Sequence, residues 1–308
     1  MKKTKKTIVW LVAFLAVGSI QVFGKPFAVG PYLGQTPPGP IAQVFAPGLI
    51  CNPGQRTWEV FGSFSADGNT FCFQRISGVF ITENTDQGWT TPELIRSISA
   101  NMYAPWSACL SPDANSIYFN QRNYPSRRWS PRRCMRTSQG WSLPQELGPP
   151  FTDSGASGGF SLAADNSIYF HSNKVPYGRS PFMVAPFVDN TWAQAIMIPL
   201  EVGNIRGHSP GIAPDESFMV FYSVKPGAQL GTETNLYLTL RQSDGTWTKS
   251  RNMGHRVNSE YYEHGARISP DKKYLFFTRS TGWNLRPLCD TGDIYWVELK
   301  EYLPESHR

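Results

Sequence analysis

The amino-acid sequence predicts an all-β protein, a five-bladed β-propeller in which an N-terminal strand completes the last blade. A short phrase that ends in Asp recurs five times at intervals of about 50 residues, and an aromatic strand follows each copy. Gly and Pro are frequent, at 27 and 25 residues, and aromatic residues make up 14% of the chain. This composition favours many short strands over helices. A sixth, degenerate blade is the alternative to five.

The first 24 residues are predicted to be a signal peptide. Residues 1–6 contain four lysines, an apolar segment runs from Thr7 to Ile20, and Val22 and Gly24 precede the expected cleavage point. The apolar segment is too short to span a membrane comfortably. We therefore expect a periplasmic or secreted protein, with no transmembrane segment once the signal is removed.

The rest of the chain divides into a Pro- and Gly-rich tether over residues 25–40, a propeller over residues 41–303 and a tail over residues 304–308. Loss of the signal removes four lysines and no acidic residue, so the formal net charge falls from +6 to +2. A balance this close to neutral gives no indication of nucleic-acid binding.

Each repeat contains a tight turn between two strands. The five turn phrases contain Asp67, Asp113, Asp165, Asp215 and Asp271. Pro in the second position of such a turn presets the backbone, and Asp or Ser side chains satisfy nearby amides. In every repeat a third strand follows the second. In the first four repeats a Trp-containing phrase comes after that third strand. A complete unit therefore holds four short strands, as propeller blades do.

The two ends of the repeat array are expected to share one blade. The last repeat stops after its third strand, at Glu298, whereas the segment Ala42–Pro47 reads as a fourth strand without a blade of its own. We predict that Ala42–Pro47 pairs beside Ile294–Val297. Such pairing removes the exposed sheet edge at which the first and last repeats meet.

The Ser-Pro-Asp turns, the aromatic strands after them and the closing Asp-Ile-Tyr-Trp resemble the WD40-like, TolB-like propeller repeats of periplasmic proteins. The resemblance covers residues 41–299 and implies a propeller of the cell envelope. Because this repeat serves many roles, it implies no particular ligand. TolB-type rings have six blades and a separate N-terminal domain, and neither is visible in this sequence.

One cation follows the second strand of each repeat, at the end opposite the turn. These residues are Arg75, Arg122, Lys174, Lys225 and Arg279. Five blades would set them in an approximate ring, and such a ring would bind an anionic ligand. The alternative is that they keep the strand ends soluble and bridge neighbouring blades.

A second set of polar and aromatic residues stands seven or eight positions before the turn Asp. Its members are Glu59, Trp106, Ser157, His208, Glu263 and His264. We expect them at the mouth of the central channel. Imidazole and carboxylate groups suit divalent cations, but two His on different blades are more typical of a structural role, so no metal is predicted.

Three further features have competing interpretations. The loop Arg127–Arg133 interleaves Arg with Trp, which is typical of a surface for sugars or acidic proteins and equally of a solvated loop. The segment Gly155–Gly159 matches a nucleophile elbow, but no helix is expected after it, so a serine hydrolase is disfavoured. Cys51 and Cys289 are predicted to form a disulfide that attaches the N-terminal strand to the last blade.

These observations favour a binding module for an anionic glycan, peptide or envelope protein, without catalysis or cofactor. The alternative is an enzyme, an acidic-polysaccharide lyase or a glycosidase, that uses the same face. A glycosidase needs two carboxylates on the sugar, and the predicted inner strands hold no Asp or Glu before the turn. A lyase needs only a base, such as His208 or His264, and a cation, such as Arg279.

Overall fold

The computed structural model describes residues 27–52, 58–99, 105–122, 129–175, 182–200, 207–224, 233–281 and 292–308. Their regular structure is nearly all strand, so the predicted all-β class is confirmed. The described helices are α1 (Pro31–Gly34), α2 (Arg96–Ser99) and a 3-10 helix (Glu305–His307). None of them has the length and apolar character that a membrane span requires. The predicted signal peptide lies outside the described residues.

The strands after β1 (Gln43–Val44) form successive antiparallel groups. Group one holds β2 (Val60–Phe64), β3 (Thr70–Arg75), β4 (Gly78–Thr85), β5 (Gly88–Trp89) and β6 (Glu93–Leu94). Group two holds β7 (Trp106–Leu110), β8 (Ser116–Arg122), β9 (Trp129–Thr137), β10 (Gly140–Trp141) and β11 (Gln145–Glu146). Group three holds β12 (Ala156–Leu162), β13 (Ile168–Ser172), β14 (Phe182–Ala185), the hairpin β15 (Phe187–Val188) and β16 (Thr191–Trp192), and β17 (Ile196–Met197).

The last two groups follow the same plan. Group four holds β18 (Gly207–Ile212), β19 (Phe218–Val224), β20 (Thr234–Leu240) and β21 (Arg251–Asn252). Group five holds β22 (Tyr262–Ile268), β23 (Tyr274–Ser280) and β24 (Gly292–Glu298). A single parallel bridge between Thr234 and Tyr262 joins these two groups into one sheet.

The N-terminal strand completes group five. β1 pairs antiparallel with β24, so that Gln43 lies opposite Trp296 and Val44 opposite Tyr295. The Phe45 amide continues the ladder and donates to the Ile294 carbonyl at 2.8 Å. The predicted pairing of the N-terminal segment with the last strand is therefore confirmed.

The first strands of the groups surround a central channel. β2 contacts β7, β7 contacts β12, β12 contacts β18, β18 contacts β22, and β22 contacts β2 again. Five hydrophobic clusters fill the spaces between consecutive groups, including the space between groups five and one. Representative members, starting between groups one and two, are Phe119, Phe160, Phe221, Leu275 and Trp296.

The segment that the sequence assigns to a tether packs on this assembly. Leu33 is buried, and the indole N–H of Trp89 donates to the Gly30 carbonyl at 2.7 Å. The Phe27 amide donates to the Trp89 carbonyl at 2.9 Å. Tyr32 meets the ring of Tyr274 edge to face at 5.1 Å, so residues 27–40 lie against groups one and five.

The turn Asp residues stabilise the corners between first and second strands. Ser65 Oγ donates to Asp67 Oδ1 at 2.5 Å, and the Asn69 amide donates to the same oxygen at 2.9 Å. These hydrogen bonds lower the pKa of Asp67. The Ser–Asp contact recurs at Ser111–Asp113 and Ser269–Asp271. In the other two turns Asp165 and Asp215 accept hydrogen bonds from Ser167 and Ser217, so each turn satisfies its own Asp side chain, as the sequence predicts.

Every first strand carries a β-bulge at the same place, six residues before the turn Asp. The bulged residues have positive φ and are Phe61 (57°), Ser107 (61°), Gly159 (66°), Ser209 (45°) and Gly265 (66°). The pairing register with the second strand shifts at each of them. A bulge bends the strand and re-aims the side chains beside it. The bulges therefore turn the preceding residues toward the channel.

Candidate functional site

Ring side chains from all five groups meet at the end of the channel opposite the turns. We call this patch the aromatic mouth. Its members are Trp58, Phe61, Trp106, His171, His208, Tyr222, Tyr262 and His264. Most of them lie at the starts of first strands or the far ends of second strands, where the bulges bring the groups together.

On one side of the mouth, Trp106 is the central ring. It stacks on Trp58 with centroids 5.4 Å apart and meets Phe61 edge to face at 4.9 Å. Its ring lies nearly parallel to that of His264, at 6.1 Å. Trp58 and Trp106 are half-buried, whereas Phe61 and His264 are buried.

On the other side, Tyr222 links two imidazoles. It meets His264 at 6.1 Å and stacks on His208 at 5.4 Å. His208 contacts His171 at 4.4 Å, and Ser157 Oγ lies 3.0 Å from His171 Nδ1. All of these residues except His264 are half-buried. The ring contacts therefore run without a break from Trp58 to His171.

His264 supports the floor of the mouth as a neutral ring. It is 1% exposed, and burial lowers the pKa of His264 to about 3. Its Nε2 has no hydrogen-bond partner within the described ranges. Its contacts with Trp106, Phe61 and Tyr262 are ring contacts, so its observed role in the mouth is to pack the other rings.

Two of the predicted cations form ion pairs with two of the predicted acids. Arg75 Nε lies 3.1 Å from Glu59 Oε1, and Arg279 Nε lies 2.9 Å from Glu263 Oε1. Both carboxylates are fully buried. Burial raises the pKa of Glu263, while Ser259 and Arg279 act in the opposite direction. Arg75 also donates to the Ile50 carbonyl, and Arg279 donates to the Val257 carbonyl. Each arginine therefore connects its hairpin to a neighbouring segment of the chain.

The other two described cations, Arg122 and Lys174, make different contacts. Arg122 is exposed, and its guanidinium lies 4.9 Å from the centroid of Trp129 at the same end of group two as the mouth. Lys174 Nζ donates to the carbonyls of Thr152 and Asp153 at 3.1 and 2.8 Å. Lys225 and the loop residues Arg127 and Arg128 lie outside the described residues. A joint anion-binding role for the five cations stays a prediction.

The predicted mouth residues separate into two sets. Trp106, His208 and His264 belong to the aromatic mouth and Ser157 contacts its His171, whereas Glu59 and Glu263 form the ion pairs. Sequence reasoning missed Trp58, Phe61, His171, Tyr222 and Tyr262. A usable signal existed for Tyr222, since it occupies the second-strand position opposite His208 in the hairpin.

A separate cluster of potential metal ligands lies beside β24. Ligand atoms of Cys51, Glu59 and Asp293 lie within 4.8 Å of one another, and no other group of this kind occurs within the described ranges. Arg75 already pairs with Glu59. Cys51 is buried, and its sulfur accepts a hydrogen bond from the Ile294 amide at 3.2 Å. Its predicted partner Cys289 lies outside the described residues, so the disulfide stays a prediction.

No known family model matches the chain, and no curated protein matches it in sequence. The GH43_1 enzyme from Xanthomonas citri, solved in complex with xylose, matches with a TM-score of 0.53 at 10% identity, over 81% of this chain and 90% of that one. The GH43 endo-arabinanase from Bacillus licheniformis matches with a TM-score of 0.46 at 11% identity, over 83% and 98%. A TolB candidate from Agrobacterium tumefaciens matches with a TM-score of 0.46 at 14% identity, over 72% and 70%.

Identities of this size bear on the fold alone. The first of these likenesses agrees with the strand groups, their antiparallel order and their arrangement around a channel. The chain therefore has the β-propeller fold.

Proposed function

We propose that this chain is a five-bladed β-propeller of the cell envelope that binds an acidic glycan at its aromatic mouth without cleaving it. The observation that carries the proposal is the convergence of rings from all five groups on one patch, where five of the eight rings are half-buried and Phe61, Tyr262 and His264 are buried. An aromatic face packs against the apolar face of a sugar, and the polar edges of Tyr and His hydrogen-bond its hydroxyl groups. Trp58 and Trp106 supply the aromatic surface, and the half-buried imidazole of His208 supplies a polar edge.

A ring of five blades accounts for the contacts between the five groups of strands. Each described group follows the same plan around one of the five turns, and five clusters occupy the five spaces between groups. β1 supplies the fourth strand of the last group. A sixth blade would have to lie between two groups that already contact each other.

The preference for an acidic ligand is supported by Arg122. Its guanidinium is exposed at the mouth end of group two and stacks on Trp129, an arrangement that leaves its N–H groups available to a carboxylate or sulfate. Export is supported by the cationic and apolar pattern of residues 1–24.

The absence of cleavage is proposed because the acids near the mouth are already paired. A glycosidase uses two carboxylates, one as acid and one as base or nucleophile, on either side of the sugar bond. Glu59 and Glu263 are buried and pair with Arg75 and Arg279, so neither carboxylate is presented to a sugar lying on the rings.

The test measures binding of acidic and matched neutral oligosaccharides to the protein that starts at Lys25. Intrinsic Trp fluorescence is the readout. Trp106→Ala should weaken binding at least about tenfold, because a central aromatic anchor carries much of the affinity of such a site. Trp141→Ala is the matched control, since Trp141 belongs to the same group but packs under Arg136 away from the mouth. Equal affinity of the wild type and the Trp106 variant would contradict the proposal.

A second candidate, cleavage of an acidic polysaccharide, is favoured by one observation. His208 and His171 are half-buried with centroids 4.4 Å apart, and Ser157 hydrogen-bonds His171, so imidazoles that can accept a proton lie at the edge of the mouth. A lyase would release unsaturated products that absorb ultraviolet light. Turnover that disappears in His208→Gln, with binding retained, would favour the enzyme, whereas binding without turnover favours the binding module.

A further inference from the structure

The turn end of the channel contains a cavity lined by equivalent positions of all five groups. Its volume is about 130 Å³. The residues immediately before the turn Asp form its rim, namely Ala66, Pro112, Ala164, Pro214 and Pro270. The residues three before the turn Asp, Phe64, Leu110, Leu162, Ile212 and Ile268, form its apolar wall. We call this space the bore cavity.

One charged side chain enters the bore cavity. Arg267 lies four residues before its turn Asp, where the other groups have Ser63, Cys109, Ser161 and Gly211. The four small residues leave room for a single long side chain on the axis. Arg267 is 3% exposed, so its guanidinium is almost completely removed from bulk water.

The hydrogen bonds of Arg267 leave part of its guanidinium unsatisfied. One terminal nitrogen donates to the Ala266 carbonyl at 2.8 Å. The other makes long contacts to Ser107 Oγ at 3.4 Å and to the Ala108 carbonyl at 3.5 Å, and the guanidinium also hydrogen-bonds the Cys109 side chain. Nε has no partner, and no carboxylate pairs with Arg267 within the described part of the chain. The Phe61 ring, 5.8 Å away, covers one face.

A buried cation without a counter-ion is strongly unfavourable, by several kcal/mol even after relaxation. Arg does not escape this cost by losing its proton, because the guanidinium stays charged in proteins. The titratable neighbours of Arg267 are the thiols of Cys109 and Cys72, and burial raises the pKa of both. As neutral thiols they supply no compensating charge, and within the described residues no carboxylate supplies it either.

We propose that the bore cavity binds a monovalent inorganic anion of the size of chloride or bromide, held by the N–H groups of Arg267. The cavity has room for it, because about 10–15 Å³ on this measure accommodates one water molecule. Ser161 also lines the cavity, and its hydroxyl proton remains available because its oxygen accepts from the Ile212 amide. The apolar wall favours a weakly hydrated anion over sulfate or phosphate. This site is separate from the aromatic mouth.

The test uses the intact protein at constant ionic strength, with sodium gluconate replaced stepwise by sodium bromide or chloride. The thermal midpoint should rise by a few degrees and reach a plateau, since a ligand that binds only the folded state stabilises it by mass action. Crystals grown or soaked in bromide should show an anomalous peak within hydrogen-bond distance of Arg267 Nε. Arg267→Met should lose the halide dependence, and Arg136→Met, which removes an exposed arginine, should keep it.

Two results would overturn the proposal. The first is a wild-type protein with no halide dependence and no bromide peak, which is informative even where Arg267→Met does not fold. The second is ultraviolet absorbance of a thiolate at neutral pH that disappears in Cys109→Ser, because Cys109 would then be the counter-ion. Neither result bears on glycan binding, which is measured separately with the Trp106 variant.

Discussion

Glu263 and Arg279 depend on each other for their place in the fold. They lie directly opposite in the hairpin of β22 and β23, eight residues before and after the same turn Asp. Glu59 and Arg75 have the same spacing in group one. Sequence alone therefore contains the signal for both pairs, in the shared offset from the turn. The sequence does not show that the carboxylates are buried, because their burial depends on the neighbouring groups of strands.

Replacement of Arg279 by Met should lower the free energy of unfolding by about 3–5 kcal/mol, because it leaves the buried Glu263 carboxylate without its counter-ion, although Ser259 still donates to it. Arg256→Met is the control, since its pair with Glu301 is exposed and worth about 0–1 kcal/mol. Urea unfolding of both variants measures the difference.

The pH dependence of the same variant has a definite sign. Burial raises the pKa of Glu263, and Arg279 is one of the groups that oppose this rise. Without Arg279 the folded-state pKa lies further above the unfolded value, so the deficit is largest above the folded-state pKa and shrinks as the pH falls through it. Glu263→Gln in the same background should recover stability. A deficit that is independent of pH and unrelieved by Glu263→Gln would show that lost packing dominates.

At the scale of the element, the β-bulges in the first strands could not be predicted from the sequence. The turn phrases repeat in residue type, but the bulged positions hold Phe, Ser, Gly, Ser and Gly. Most of these residues show no preference for positive φ, so the bend is imposed by the approach of five first strands to one axis. The repeated turns made the order of the strands predictable. The rings at the aromatic mouth were only partly predictable, because the bulges that bring them together have no repeated residue type.

Gly159 tests how closely the first strands approach. A Cβ at this position would lie 2.3 Å from Ser209 Cα in the next group, and φ is +66°. Gly245 has a similar φ of +82° with nothing within 4 Å. Gly245→Ala should therefore lose about 1 kcal/mol of unfolding free energy for the backbone alone. Gly159→Ala should lose about 2–4 kcal/mol, because strand displacement adds to that loss. Equal losses in denaturant titrations would mean that the strands separate easily.

At the scale of the whole molecule, periodicity predicted the fold because each turn recurs with its aromatic strand and because both ends of the array lack a partner. It did not predict the packing of residues 27–40, which carry no repeat signal and read as a Pro- and Gly-rich tether. The position of Arg267 is intermediate. Alignment of the five repeats on their turns places it opposite four small residues, but only the arrangement around an axis shows that this position lines a cavity.

The seam between groups five and one is closed by Phe45, which is fully buried and lies 5.1–5.3 Å from the rings of Phe71, Phe276 and Trp296. Phe45→Ala should lower the free energy of unfolding by about 3–5 kcal/mol, as should Phe151→Ala between groups two and three. The two variants should differ in where the molecule opens. β1 is only two residues long, so its ladder contributes little to holding the seam once the ring contacts are lost. Amide hydrogen exchange in Phe45→Ala should therefore accelerate first in β24 and β3, whereas Phe151→Ala should accelerate exchange in β13 and leave the seam protected. Acceleration spread evenly over all groups in both variants would mean that the propeller unfolds as one unit and that its two termini form no weaker joint than any other pair of neighbouring groups.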